Sequence, residues 1–105
     1  MKKTKEYILN AIKEELRKVA PNAKAILFGS RARGDNDEDS DWDILILIDK
    51  ANLVPTDYDT ISYPLYELGW RLDEKISPKL YTLNDWLKRN FTPFYKNVEE
   101  EGIVL

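Results

Sequence analysis

Residues 29–43 read GSRARGDNDEDSDWD. An apolar run, KAILF at residues 24–28, precedes this stretch, and a second, WDILILID at residues 42–49, overlaps its end. The first run predicts a short strand closed by Gly29. The second is apolar at nearly every position, which predicts a strand buried on both faces and therefore central in a sheet covered by helices.

Two carboxylates open the second strand, and a Gly-Ser pair follows the first. Asp41 and Asp43 stand at i and i+2, so both side chains project from one face with Cβ atoms about 7 Å apart. At that spacing they can bind one hard cation such as Mg²⁺, which prefers oxygen ligands. Gly29 allows a ligand to approach the backbone closely, and Ser30 at a helix start can hold a phosphate.

The acidic run has two other interpretations, a solvated loop and a calcium-binding loop. A run such as DNDEDSD, residues 35–41, is usually a solvated loop. An EF-hand that starts at Asp35 would place Ser40 where the turn glycine belongs and Ile46 where the bidentate Glu belongs. A start at Asp37 fails in the same way, so the calcium loop is excluded.

The amino-acid composition excludes several kinds of catalytic and structural site. The chain has 105 residues and 12.3 kDa, which predicts one domain over residues 1–105. Cysteine and histidine are both absent, which excludes disulfides, thiol nucleophiles, zinc fingers and Ser–His hydrolases. No signal peptide or membrane-spanning run is visible, so we expect a cytoplasmic protein without membrane contact.

Charge is distributed unevenly along the chain. Residues 1–34 carry nine Lys/Arg against three Glu, a net charge of +6, whereas residues 35–74 carry twelve acids against two bases, a net charge of −10. A nonspecific nucleic-acid binder needs a contiguous basic face, so we expect no direct nucleic-acid binding. The distribution suits a site where cations meet a polyanion.

The remaining patterns predict helices around the strands. Thr4 to Val19 is an amphipathic helix capped by Thr4, and a second helix starts at Ser62 after a loop over residues 52–60. Residues 75–82 form a strand that Pro78 confines to an edge or a bulge. A helix capped by Asn84 or Asp85 follows, then an amphipathic piece, and residues 103–105 are a strand, a docking segment or a frayed tail. The fold class is α/β (α+β): a small mixed β-sheet flanked by helices.

This arrangement resembles the nucleotidyltransferase fold of the DNA polymerase β-like superfamily, whose signature is Gly-Ser, about ten residues, then Asp-x-Asp. Ser30 and Asp41 are separated by ten residues, and a strand flanks each end of the motif. The local form, GSRARGDNDEDSDWDILI, is similar to minimal nucleotidyltransferases (MNT), which are stand-alone domains often encoded beside a HEPN-domain protein as toxin–antitoxin pairs. The resemblance covers most of the chain and implies a polymerase β-like palm fold.

The resemblance implies a reaction and a set of residues. Gly29 and Ser30 would hold the β- and γ-phosphates of a nucleoside triphosphate, most readily ATP, and Asp41 and Asp43 would bind two Mg²⁺ ions. The reaction would transfer a nucleoside monophosphate to a hydroxyl, for example on a partner protein of HEPN type.

The two arginines of the motif and the third strand leave alternatives open. Arg31 and Arg33 either bind phosphate or pair with the acidic loop. The family usually has a third carboxylate on the third strand. Here Lys75 stands where similar chains have an acid, which leaves Asp73, two residues earlier, as the candidate third catalytic and metal-binding residue if the strand extends that far.

Glu74 would lie on the opposite face from Asp73, and Lys79 and Tyr81 alternate along the same strand without an assigned role. An active enzyme and a catalytically weak or inactive, antitoxin-like binding subunit therefore both remain open. A small-molecule nucleotidyltransferase is disfavoured because no second domain is present to form an acceptor pocket.

Overall fold

The computed structural model describes residues 4–105 of the chain. Its elements are α1 (Lys5–Val19), β1 (Lys24–Phe28), α2 (Ser30–Arg33), β2 (Trp42–Ile48), α3 (Pro55–Asp57), a π-helical segment (Tyr58–Ser62), α4 (Tyr63–Leu72), β3 (Ile76–Thr82), α5 (Leu83–Lys88), α6 (Pro93–Glu101) and β4 (Ile103–Val104). No helix in residues 4–105 is long and apolar enough to cross a membrane.

The strands form one mixed sheet in the order β3-β2-β1-β4. β1 is antiparallel to β2 and β4, and β2 is parallel to β3, which confirms the predicted mixed sheet and the central position of β2. The Trp42 amide donates to the Lys75 carbonyl at 2.7 Å, so by alternation Pro78 directs its missing N–H away from β2. Pro78 therefore lies on an edge strand, as predicted, at a position where no ladder hydrogen bond is lost.

The two faces of β2 pack into separate cores. Trp42, Ile44 and Ile46 face the core that α1 and α4 cover, whereas Leu45 and Leu47 face the core that contains Trp86 of α5 and Val98 of α6. All but one of the residues from Trp42 to Leu47 are buried, and the exception is Asp43. Alternation therefore places Asp43 on the Leu45 face, at the end of the strand where the α5–α6 core stops.

Several boundaries differ from the sequence prediction. Helical structure begins at Pro55 rather than at Ser62, because Pro55 is favoured in a first helical turn and Asp57 accepts a 2.8 Å hydrogen bond from the Val54 amide. The α5 cap is Thr82, whose Oγ1 accepts from the Asp85 amide, and neither Asn84 nor Asp85.

Both ends of the described chain form regular structure. The predicted α1 cap is confirmed, because Thr4 Oγ1 accepts a 3.1 Å hydrogen bond from the Tyr7 amide. Of the three alternatives for residues 103–105, the structure has a strand, since Ile103 and Val104 pair with β1.

Candidate active site

The turn after β1 brings the backbone against a carboxylate of β2. Gly29 has φ +76° and ψ −160°, and its carbonyl accepts hydrogen bonds from the Ala32 and Arg33 amides at 3.0 and 3.1 Å, which starts α2. A Cβ built on Gly29 would overlap Asp43 Oδ2. Position 29 therefore requires glycine twice, for its left-handed φ and for the closeness of the carboxylate.

Asp43 lies half-buried in this contact, opposite Phe28 of β1. Burial raises the pKa of Asp43 above its ordinary value, and the neighbouring charge of Asp41 raises it further; Lys79 and Arg33 act in the opposite direction. Two carboxylates thus repel each other at a partly desolvated place beneath a glycine turn.

These residues fit a divalent cation. Carboxylate oxygens are the ligands that Mg²⁺ prefers, and a cation would relieve both the repulsion between Asp41 and Asp43 and the cost of burying Asp43. The turn at Gly29 contacts Asp43, and α2 starts at the next residue, Ser30, so a cation held by Asp43 and a phosphate held by the turn would be neighbours.

Arg31 holds the acidic loop. Its Nε and Nη2 donate to the Ser40 carbonyl at 3.2 and 3.0 Å, and Nη2 also donates to the Glu38 carbonyl at 3.3 Å. The guanidinium lies 4.4 Å from the centre of the Trp42 ring, and only 11% of the side chain is exposed. Of the two roles predicted for Arg31, the structure therefore contains the contact with the loop.

Arg33 is more exposed and pairs with two carboxylates. Its Nε donates to Asp35 at 3.1 Å and its Nη1 to Glu101 of α6 at 3.3 Å. These bonds raise the pKa of Arg33 above its ordinary value, and the bond to Asp35 has the larger effect. Phosphate binding by Arg33 would require exchange of these partners and stays a prediction.

The third strand brings no carboxylate beside the pair. β3 starts at Ile76, whereas Asp73 ends α4 with φ 55° and ψ 44°, so strand alternation does not carry Asp73 to the face of Asp43. Among residues 4–105 no group of three acidic, His or Cys side chains could hold a metal ion. Asp73 instead lines a cleft of about 430 Å³ together with Asp39 and Lys75. Its role as third ligand stays a prediction that the strand boundary does not support.

Glu74 contacts Trp42, which lies on the opposite face of the sheet from Asp43. Its Oε2 accepts a 3.3 Å hydrogen bond from Trp42 Nε1 and lies 3.9 Å from Arg31 Nη2. The β3 side chains on the face of Asp43 are Ser77, level with Asp43, Lys79, level with Leu45, and Tyr81, level with Leu47. The sequence analysis left the roles of Lys79 and Tyr81 open, although their alternation already placed them on one face of β3.

Comparison with known proteins decides the family. The family model for the nucleotidyltransferase domain matches residues 9–105. The chain belongs to this family. Two proteins of Methanocaldococcus jannaschii, named "Putative protein adenylyltransferase MJ0604" and "Putative protein adenylyltransferase MJ0141", are each 36% identical to the nucleotidyltransferase chain over 104 residues. The alignments cover 99% and 98% of this chain and 95% and 92% of the relatives.

Solved structures share the fold of this nucleotidyltransferase. A structure described as a minimal nucleotidyltransferase matches with a TM-score of 0.61 and 23% identity, covering 95% of this chain and 94% of the other. A toxin–antitoxin crystal structure with AMP-PNP matches with a TM-score of 0.60 and 23% identity, covering 90% of this chain and 69% of the other. The predictions of a minimal nucleotidyltransferase fold and of a nucleotidyltransferase enzyme are confirmed at the level of the family.

Proposed function

We propose that this chain is a Mg²⁺-dependent nucleotidyltransferase that transfers AMP from ATP to a hydroxyl of a partner protein. The observation that carries the proposal is the contact between the Gly29 turn and the Asp43 carboxylate, because it joins a phosphate cradle to a cation ligand. The relatives named protein adenylyltransferases support the choice of ATP and of a protein acceptor, since they match over nearly the whole chain.

Each residue has a defined task in this proposal. The Gly29 turn and Ser30 bind the terminal phosphates, and Asp41 and Asp43 hold the cation, which neutralises charge on the triphosphate when bound. The acceptor oxygen forms a bond to the α-phosphorus while the bond from that phosphorus to the α–β bridging oxygen breaks. Pyrophosphate leaves, and the acceptor proton passes to water or to a site carboxylate.

A protein of HEPN type is the partner that we propose. Support comes from the resemblance to minimal nucleotidyltransferases and from neighbours in fold that are described as toxin–antitoxin structures. The second candidate is an antitoxin-like subunit that binds its partner with little or no turnover. It is favoured by the lack of a three-carboxylate group among residues 4–105.

One labelling experiment separates the two candidates. The chain is co-expressed with the product of its neighbouring gene and supplied with ATP labelled at the α- or the γ-phosphate. Label on the partner from α-labelled ATP only, lost in the Asp41→Asn/Asp43→Asn variant and retained in the exposed control Asp59→Asn, is the expected result. Complex formation with no label on the partner would instead establish the binding subunit.

A further inference from the structure

The wall that β3 contributes beside the two carboxylates carries positive charge. Ser77 lies level with Asp43 in the parallel ladder, and Lys79 projects from the same face one pleat further on. Lys79 is exposed, and its charge acts on the Asp43 carboxylate. A family member of the usual pattern would present a carboxylate on this strand.

The two acids that precede β3, Asp73 and Glu74, have other places in the structure. Glu74 accepts from the Trp42 indole on the opposite face of the sheet, and Asp73 occupies the left-handed end of α4 before β3 begins. A second divalent cation beside Asp43 would therefore find no carboxylate on β3 and would face the ammonium of Lys79. Like charges repel, so the ammonium disfavours a second cation at this place.

We infer that this site binds one divalent cation, held by Asp41 and Asp43, and that Lys79 supplies on the β3 side the positive charge that a second cation would bring. The inference rests on the proposed function and deepens it. Lys79 is then a nucleotide-binding residue, since a lysine ammonium is a compact point charge that binds phosphate oxygens. One dication balances the two carboxylates, and Lys79 remains free to neutralise the triphosphate.

The test counts cations rather than turnover. Mn²⁺ is titrated by electron paramagnetic resonance into the chain saturated with α,β-methylene-ATP, in which the bond to be broken is replaced. We expect one Mn²⁺ per bound nucleotide after subtraction of the Asp41→Asn/Asp43→Asn background. Lys79→Asp, which places a ligand where the ammonium was, is expected to raise the count to two.

Nucleotide affinity gives a second readout. Lys79→Ala should weaken binding of the analogue about tenfold, whereas Lys24→Ala should leave it within twofold. Lys24 is a matched control because it is exposed on the same sheet at the far end of β1, level with Leu47 rather than with Asp43. Because Lys79 is exposed, we expect its variants to fold, and circular dichroism checks this.

Two Mn²⁺ of similar affinity per nucleotide in the wild-type chain would overturn the inference. Unchanged affinity of Lys79→Ala would overturn it as well. Both results differ from failure of the proposed function itself, in which the wild-type chain would bind no nucleotide and both proposals would fall together.

Discussion

Two neighbouring regions at one end of the sheet differ in how their polar residues are used. In the region over residues 29–43, the positive φ of Gly29, the start of α2 and the half-buried Asp43 all fit an anionic ligand with its cation. In the region over residues 73–79, Asp73 ends a helix and Glu74 supports Trp42 and Arg31. The first region therefore contains a carboxylate that is half-buried and repelled by its neighbour, whereas in the second region Glu74 is paired and the backbone of Asp73 ends a helix.

Residues that are close along the chain therefore need not belong to one site. Asp73 is only three residues before β3, but the left-handed turn at α4's end removes it from the strand's alternation. Glu74 is paired with Trp42 and Arg31, whereas Asp43 is repelled by Asp41, which is the electrostatic pattern that we expect of a cation ligand.

The largest effect should separate the two regions outright. The Asp41→Asn/Asp43→Asn variant should bind MgATP at least tenfold more weakly, about 1.4 kcal/mol or more, because the cation loses both ligands. Asp73→Asn should change MgATP affinity less than twofold. Isothermal titration measures both variants.

A loss of MgATP affinity in Asp73→Asn as large as that of the double variant would contradict this contrast, and label transfer by Asp73→Asn tests it in a second way. If Asp73→Asn lowered label transfer by orders of magnitude while MgATP binding stayed unchanged, Asp73 would be the third catalytic carboxylate after all. The second region would then belong to the site in spite of its strand boundary.

The next prediction concerns the two left-handed glycines of the first region. Gly29→Ala should lower nucleotide affinity at least tenfold, because its Cβ would overlap the Asp43 carboxylate. Gly34→Ala is the matched control: Gly34 also has a positive φ, 89°, but a Cβ there would meet no atom within 4 Å. Gly34 has the αL conformation, whose strain for alanine is about 1 kcal/mol, whereas the ψ of −160° at Gly29 lies in a region that only glycine normally adopts, so backbone strain adds to the overlap at Gly29.

Equal losses of nucleotide affinity in the two glycine variants would contradict this account. Such a result would mean that strain in the turn, rather than closeness to Asp43, sets the affinity. Unfolding by urea, followed by circular dichroism, verifies that each variant remains folded at the temperature of the titration.

A smaller effect should distinguish the two arginines of the motif. Arg31→Ala should lower the free energy of unfolding by about 2 kcal/mol, because a buried guanidinium that donates to the Ser40 and Glu38 carbonyls is lost. Arg33→Ala should lower the free energy of unfolding less than Arg31→Ala does, because solvent screens its two exposed salt bridges. Urea denaturation measures both, and a larger loss for Arg33 would reverse the assignment.

The sequence predicts most of the arrangement of the first region but only part of that of the second. Gly29, Ser30 and the Asp-x-Asp pair stand in a contiguous motif between two strands, so spacing and alternation alone place them together. The end of α4 could not be predicted, because whether Asp73 continues a strand depends on the αL turn and on the Glu74 amide's hydrogen bond to Gly69, at 2.9 Å. The sequence analysis did not predict helical structure from Pro55, because it placed helices by apolar spacing. The capping hydrogen bond from the Val54 amide to Asp57 leaves no trace in that spacing.

The last and smallest prediction compares a carboxylate of the site with one of the fold. The Val54 amide, and after it Lys50, lower the pKa of Asp57, whereas burial and Asp41 raise the pKa of Asp43. Asp57 therefore stabilises the fold above its unfolded pKa of about 3.9, and this contribution is lost as pH falls through its lower folded pKa. Asp43 acts with the opposite sign: its ionisation destabilises the fold as pH rises from about 3.9 through its higher folded pKa.

Melting temperatures measured in EDTA from pH 3 to pH 8 should show these opposite signs. At pH 7 Asp57→Asn should melt below the wild-type chain and Asp43→Asn above it, by a few degrees at most, and both differences should shrink toward pH 3. Excess Mg²⁺ with ATP should reverse the order for Asp43→Asn only. The wild-type chain and Asp57→Asn then gain the free energy of ligand binding, and Asp43→Asn does not. A lower melting temperature of Asp43→Asn in EDTA would mean that Asp43, like Asp57, serves the fold, and the contrast between a site carboxylate and a structural one would be lost.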